Sequence, residues 1–234
     1  MTQPHRKPSR HRRGPVSGPA RAFTLLELLA VLAILGVLAG LLLPALARAR
    51  DRAHAVVCTG QLRQLGLAVC LYAEEHEDQF PRSQHSAFAY RQQPWGIALA
   101  PYLGSSRQTW TQLISSLYHC PSDRRSRPWS YGLNVYFELG PEDDYEGKPQ
   151  TWRRVSLVPR PTQTILFAEN ASEVDHLMPH FWNRPEDALD VASRRHAGRA
   201  HYLFVDGHAE SKTVETTFNP ARGVDLWHPG RARQ

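Results

Sequence analysis

Cysteine is scarce in this chain of 234 residues, with only Cys58, Cys70 and Cys120. That is too little for a disulfide-dense scaffold, it allows at most one intrachain bond, and it offers no paired Cys-x-x-Cys spacing for zinc. The H-E-x-x-H, G-x-S-x-G, P-loop and EF-hand spacings are also missing, so the twelve histidines stand without a motif that fixes catalytic or metal geometry. By residue type the candidates are Asp123, Glu169, His176, His180, Asp187, Asp190, His196, His201, Asp206 and His208. They read as surface or turn groups, and no enzyme, metal or cofactor is expected. A positive excess is missing from the body of the chain too, despite a pI near 9.5. Six of the 28 Lys and Arg lie in residues 1–22 with no acid among them, which leaves the remainder formally neutral against 22 Asp and Glu. A neutral domain lacks the footprint that phosphate neutralisation requires, so no nucleic-acid partner is expected.

What is present is one long apolar run. Residues 23–43 read FTLLELLAVLAILGVLAGLLL with Glu27 as the single charge. About 21 residues at roughly 1.5 Å each span a hydrocarbon core of about 30 Å. The run is longer than a signal-peptide core, and Ala45 and Ala47 make a poor cleavage site. With the arginines ahead of it, the positive-inside rule places the N-terminus in the cytoplasm and everything after Leu46 on the far side. Glu27 has two readings: it snorkels back toward the headgroups or Arg21, or it has a partner of its own. Gly36 and Gly40 form a G-x-x-x-G pair that permits close helix approach.

The order of residues from Arg21 through Ala22, Phe23, Thr24, Leu25, Leu26, Glu27 and Leu28 resembles the class III signal of type IV pilins and pseudopilins. The resemblance implies a basic leader over 1–22, cleavage by prepilin peptidase between Ala22 and Phe23, and N-methylation of Phe23. Ala22 stands where the family normally has Gly. It further implies that Glu27 pairs with the new amine of a neighbouring subunit, where low dielectric makes the pairing matter. Pro44 falls where such pilins often carry a helix-perturbing proline, and its missing N–H predicts a kink near Gly40.

Beyond Pro44 the helical pattern continues. Cys58, Leu62, Leu65, Val69 and Tyr72 recur at spacings of four and three, so residues 47–78 are predicted to extend the membrane helix of 23–46 as an amphipathic half. Residues 79–234 then read as an extracytoplasmic α+β domain. Short helices are predicted over 94–103 and 110–118, strands over 130–137, 163–168, 201–205 and 208–214, and a loop over 140–150. Asp206-Gly207 is a hairpin-turn dipeptide. The predicted fold is therefore α+β and pilin-like, one long N-terminal helix packed on a small antiparallel sheet.

His196 and Asp206-Gly207 also resemble the C-terminal H-X9-DG signature of a large group of pilin-like proteins from planctomycetes and their relatives. Cys58-Thr-Gly-Gln-Leu-Arg-Gln-Leu-Gly66, Cys120-Pro-Ser-Asp123, Ser130-Tyr-Gly-Leu-Asn134 and Thr164-Ile-Leu-Phe-Ala-Glu169 agree with it. Strand geometry argues against a shared site, since residues 201–205 hold about 16 Å of extended chain between any bend near Gly198 and Asp206. His196 is expected to bond nearby backbone, Asp206-Gly207 to set the hairpin, and Glu169 to join one end or the other. Cys58, on the packing stripe, is the preferred disulfide partner of Cys120, with Cys70 as the competitor.

Two functions are left open. The first is a structural subunit of a type II secretion or type IV pilus-like filament, partnered by prepilin peptidase, other pilin-like subunits, an inner-membrane assembly platform and membrane lipid. The second is a membrane-tethered periplasmic module that binds a ligand or glycan, an idea supported by tryptophans at 95, 110, 129, 152, 182 and 227 if they are exposed. Either way the chain is a single-pass inner-membrane protein with a periplasmic C-terminal domain.

Overall fold

The computed structural model describes residues 24–104, 110–126, 129–139 and 151–232. The chain divides into two compact units, Met1–Ala47 and Arg48–Gln234. In the first unit, the leading part of helix α1 (Leu25–Glu75) is leucine- and alanine-rich and exposed along its length. By length and composition it can cross a membrane. The helix runs through Pro44 without a break, so the proline does not end it. Of the sequence expectations, the basic leader over 1–22, the cleavage position at Ala22 and Phe23, and the loop at 140–150 lie outside the described residues.

The second unit is an α+β domain. Its short helices are α2 (Gln84–Ala89), α3 (Trp95–Ala98) and α4 (Trp110–Ser116). Its strands are β1 (Tyr131–Asn134), β2 (Ile165–Glu169), β3 (His176–Leu177), β4 (Ala200–Phe204), β5 (Ala209–Lys212), β6 (Phe218–Asn219) and β7 (Val224–Asp225). The main sheet has the order β3-β1-β2-β4-β5, and β6 pairs with β7 apart from it. Three of its pairings are antiparallel, but β3 lies parallel to β1, so the sheet is mixed rather than wholly antiparallel. The reason is connection length. Strand β2 ends at Glu169 opposite Tyr131, the first residue of β1, and only six residues follow before β3. The chain must re-enter the sheet at that same end and run alongside β1.

Both faces of the sheet are covered. Along α1, Cys58, Leu62, Leu65, Ala68 and Val69 pack with Tyr131, Leu133, Phe167 and Leu203 in one core. Trp95 joins it edge-on to Tyr118 and Phe167, its indole N–H donating to the Asp175 carbonyl at 2.9 Å. On the opposite face Ala200, Tyr202 and Phe204 pack with Trp182, Phe218, Leu226 and Trp227. The alternation along β4 is the period of two that a strand covered on both faces requires. A register shift between Ile165 and Phe167 interrupts it in β2 and puts Leu166 and Phe167 in the same core.

The close approach of α1 to the β4–β5 hairpin depends on Gly66. A Cβ there would come within 2.9 Å of Leu203 Cδ1 and 3.3 Å of Gly207 Cα. Gly207 itself has φ +88° with open space around a virtual Cβ, so its constraint is backbone conformation alone. Gly66→Val is expected to cost about 1–3 kcal/mol through overpacking. Gly207→Val should cost a similar amount through strain, with Gly207→Asn recovering part of it. Urea unfolding of the detergent-solubilised chain, followed by tryptophan fluorescence, tests both.

Candidate functional site

In the N-terminal unit the informative contact is local. Thr24 is the residue ahead of α1, and its backbone N–H and hydroxyl both donate to Glu27 Oε2, at 2.9 and 2.8 Å. The Glu27 N–H donates back to Thr24 Oγ1 at 3.2 Å. This is a capping box, Thr-x-x-Glu, which satisfies two of the donors that every helix start leaves without a partner. Its carboxylate also lies at the positive end of the helix dipole. Glu27 therefore turns toward its own helix start, onto Thr24.

In the domain, the buried polar groups gather beside the disulfide that joins Cys58 in α1 to Cys120, with Cα atoms 5.2 Å apart. Cys70 is free and exposed. Glu169, at the end of β2, is wholly buried. Its Oε1 accepts from His196 Nε2 at 2.8 Å and its Oε2 from the His201 N–H at 2.9 Å. Arg195 Nη1 stands 3.7 Å from Oε1, while Nη2 donates to Asp123 Oδ2 at 2.8 Å and to the Asn170 carbonyl at 2.7 Å. Arg125 grips the other side of Asp123, with Nη2 on Oδ2 at 2.6 Å and Nε on Oδ1 at 2.9 Å. The Ser130 hydroxyl adds a bond to Oδ2 at 2.8 Å.

Charge and burial set the protonation states. Burial alone would raise the Asp123 carboxyl, but Arg125, Arg195 and Ser130 outweigh it and bring its pKa down to about 2. Burial lowers the Arg195 pKa against the pull of Glu169 and Asp123. Burial likewise pushes the His201 pKa down, while the Glu169 carboxylate opposes the shift. Since a carbonyl can only accept, His201 Nε2 carries the proton it donates to the Ala55 carbonyl of α1 at 3.0 Å. Cys120 Sγ lies 3.4 Å from His196 Nε2. The same ring nitrogen meets both Cys120 and Glu169, so no relay through two ring nitrogens forms.

The surface-or-turn reading of Asp123, Glu169, His176 and His201 is corrected: all four are buried. His196 bonds a carboxylate with its side chain and leaves the backbone pairing to its own N–H and C=O, which exchange bonds with Arg199 at 3.1 Å. Ala197 and Gly198, at φ +52° and +83°, turn the chain into β4. Asp206 stands beyond the other end of β4, where its Oδ1 accepts from the His208 N–H at 3.2 Å. The two ends of the motif are thus separate, and Glu169 joins His196. Asp187 holds the side chain of Arg184 and the N–H of Asn183. Asp190 accepts from the Met178 N–H. His180 lines a cavity of about 620 Å³ with Tyr136 and Asn183, and burial, then the nearby His176 and His85, lower its pKa to about 4. Sequence reasoning missed Arg195 and Arg125. The Arg194-Arg195 doublet ahead of His196 was the available signal for the first.

The five tryptophans whose side chains are described, Trp95, Trp129, Trp152, Trp182 and Trp227, are buried and form no exposed binding surface; the side chain of Trp110 lies outside the described residues. Those five lend no support to a glycan-binding module.

Comparison with protein families finds the prokaryotic N-terminal methylation motif over residues 19–43. No curated protein and no solved structure matches the chain. The motif supports a type IV pilin-like, membrane-anchored protein, and it implies processing by a prepilin peptidase and association with other pilin-like subunits. The long helix and mixed sheet agree with that architecture.

Two measurements test the cluster. The disulfide closes a loop with a sequence separation of 62, so Cys58→Ala with Cys120→Ala is expected to cost about 4 kcal/mol in the chain-entropy account. Because the folded Asp123 carboxyl lies below its unfolded value, the unfolded chain takes up the proton first. Its contribution, about 2 kcal/mol, is complete above about pH 4 and lost as pH falls to about 2. Asp123→Asn should be less stable at neutral pH and show a shallower slope of stability across that window.

Proposed function

We propose that this chain is a structural subunit, a pseudopilin, of a type II secretion or type IV pilus-like filament, with no catalytic role of its own. The observation that carries this reading is the methylation motif, set directly on a helix apolar enough to cross a membrane. The basic leader stays on the cytoplasmic side, where prepilin peptidase removes it after Ala22 and methylates Phe23. The domain is periplasmic, held in the inner membrane by α1 until the assembly platform extracts it into the filament. There Glu27 neutralises the Phe23 amine of a neighbour and sets the stagger between subunits. Removing a buried charge favours insertion, so the two roles of Glu27 pull in opposite directions.

Co-expression with an active prepilin peptidase should yield a protein whose intact mass begins at Phe23 and carries one added methyl. Retention of residues 1–22 under those conditions sinks the reading. In a fiber assay Glu27→Ala should insert normally and fail to assemble. Thr24→Val, which costs the helix start about 1 kcal/mol but keeps the carboxylate, should assemble close to wild type. If Glu27→Ala assembles as well as wild type, the residue serves only its own helix cap.

A further inference from the structure

The disulfide, His196 and Glu169 make a second kind of site when their atoms are considered as ligands. One ligand atom from each of Cys58, Cys120, Glu169 and His196 can be chosen so that all lie within 4.8 Å of one another, and all four residues supply buried side chains. The cysteine spacing predicted no metal site because the four come from separate stretches: mid-α1, the segment after α4, the end of β2 and the turn before β4. In a tetrahedral zinc site, with bonds of about 2.0–2.3 Å, neighbouring ligand atoms stand roughly 3.3–3.8 Å apart. The carboxylate and imidazole need small shifts to reach that spacing, and the two sulfurs need only to separate.

A second observation points the same way. His201 Nδ1 is buried without a hydrogen bond and lies 3.4 Å from Glu169 Oε2. A buried polar atom left without a partner beside the Glu169 carboxylate marks a cluster that lacks one of its groups.

We propose that reduction of the Cys58–Cys120 bond converts this cluster into a closed site for a thiolate-seeking divalent cation of the zinc class, ligated by Cys58, Cys120, His196 and Glu169. An external dithiol supplies the two electrons and leaves as its own disulfide, the two protein thiols release their protons to solvent as the cation binds, and the proton that His196 Nε2 gives Glu169 passes to Nδ1 so that Nε2 can ligate. Charge favours the exchange. Two buried thiolates added to Glu169 and Asp123 would overwhelm Arg195 and Arg125, and one divalent cation restores neutrality. Thiolate and imidazole select zinc or cobalt over calcium or magnesium. The cation would thereby keep α1 tied to the sheet when the covalent link is open.

The test uses the full-length chain in detergent, with Cys70→Ser to remove the exposed thiol. Reduced anaerobically with a phosphine and given cobalt, it should bind one cobalt per chain with the visible spectrum of a tetrahedral thiolate complex, and zinc should displace it. The oxidised chain should show no such spectrum. His196→Ala and Glu169→Gln should each weaken binding by tenfold or more, and Cys58→Ser with Cys120→Ser should abolish it. Where reduction or a substitution loosens the fold, circular dichroism with added zinc decides: zinc restores the native signal of the reduced parent if the proposal holds. A reduced parent that takes up no cobalt and gains neither structure nor melting temperature from zinc overturns it. Cobalt uptake that survives loss of both cysteines, or that is equal in the oxidised chain, does so as well.

Discussion

Glu169 is a carboxylate with no exposed surface, placed where β2 meets the start of β1 and the start of β4. Left alone there, an ionised carboxyl would cost several kcal/mol in lost hydration. It is retained because each of its oxygens has a donor, His196 Nε2 on one and the His201 N–H on the other, with Arg195 close behind. Those donors exist only if the Ala197–Gly198 turn has formed and β4 has paired in register. Arg195 in turn needs Asp123, and Asp123 needs Arg125 and Ser130. Removing one partner leaves a buried charge uncompensated, so the network penalises any arrangement in which β4, the turn and the Cys120 segment are not all in place.

The same region is where α1 is tied to the sheet. Besides the disulfide, His201 donates to the Ala55 carbonyl and Tyr131 donates to Gln61 Oε1 at 2.6 Å. Gln61 Nε2 donates to the carbonyls of Ser116 and His119. One helix turn further, Gly66 lets the helix come down against Leu203 and Gly207. The apolar stripe supplies area, which is indifferent to small rotations of the helix. The polar contacts along residues 55–61 are directional and fix which rotation is kept.

The helix, its stripe and the β4–β5 hairpin were legible because they are written in local periodicity: spacings of four and three from Cys58 to Tyr72, and alternation leading into Asp206-Gly207. The parallel pairing of β3 was not, because His176 and Leu177 carry no pattern of their own and take their place from the short return after β2. The second core was equally hidden. Phe218, Leu226 and Trp227 lie in turns and two-residue strands, and only the face of the sheet they cover gives them meaning. The cluster around Glu169 could not be read from spacing, since its members are brought together by topology, and residue types with charge were taken by default to be on the surface. The capping box failed for a different reason. Thr24-x-x-Glu27 is plain in the sequence, but a glutamate in an apolar run draws attention to the membrane before it draws attention to the helix start.

That capping box changes the physics of the proposed filament contact. If Glu27 were poised in hydrocarbon with no partner, capture of a neighbour's amine would relieve a buried charge outright. Here the carboxylate already accepts two bonds from Thr24 and sits at the positive end of the helix dipole. Contact with a neighbour must therefore compete with that intrachain arrangement. It wins only where a full positive charge meets the carboxylate in a medium of low dielectric, because there the ion pair gains far more than neutral donors do. The cap keeps the carboxylate ordered and compensated in the single chain, and the proposed filament contact would replace or augment it. In this account the same carboxylate that begins α1 in the single chain aligns it with the next.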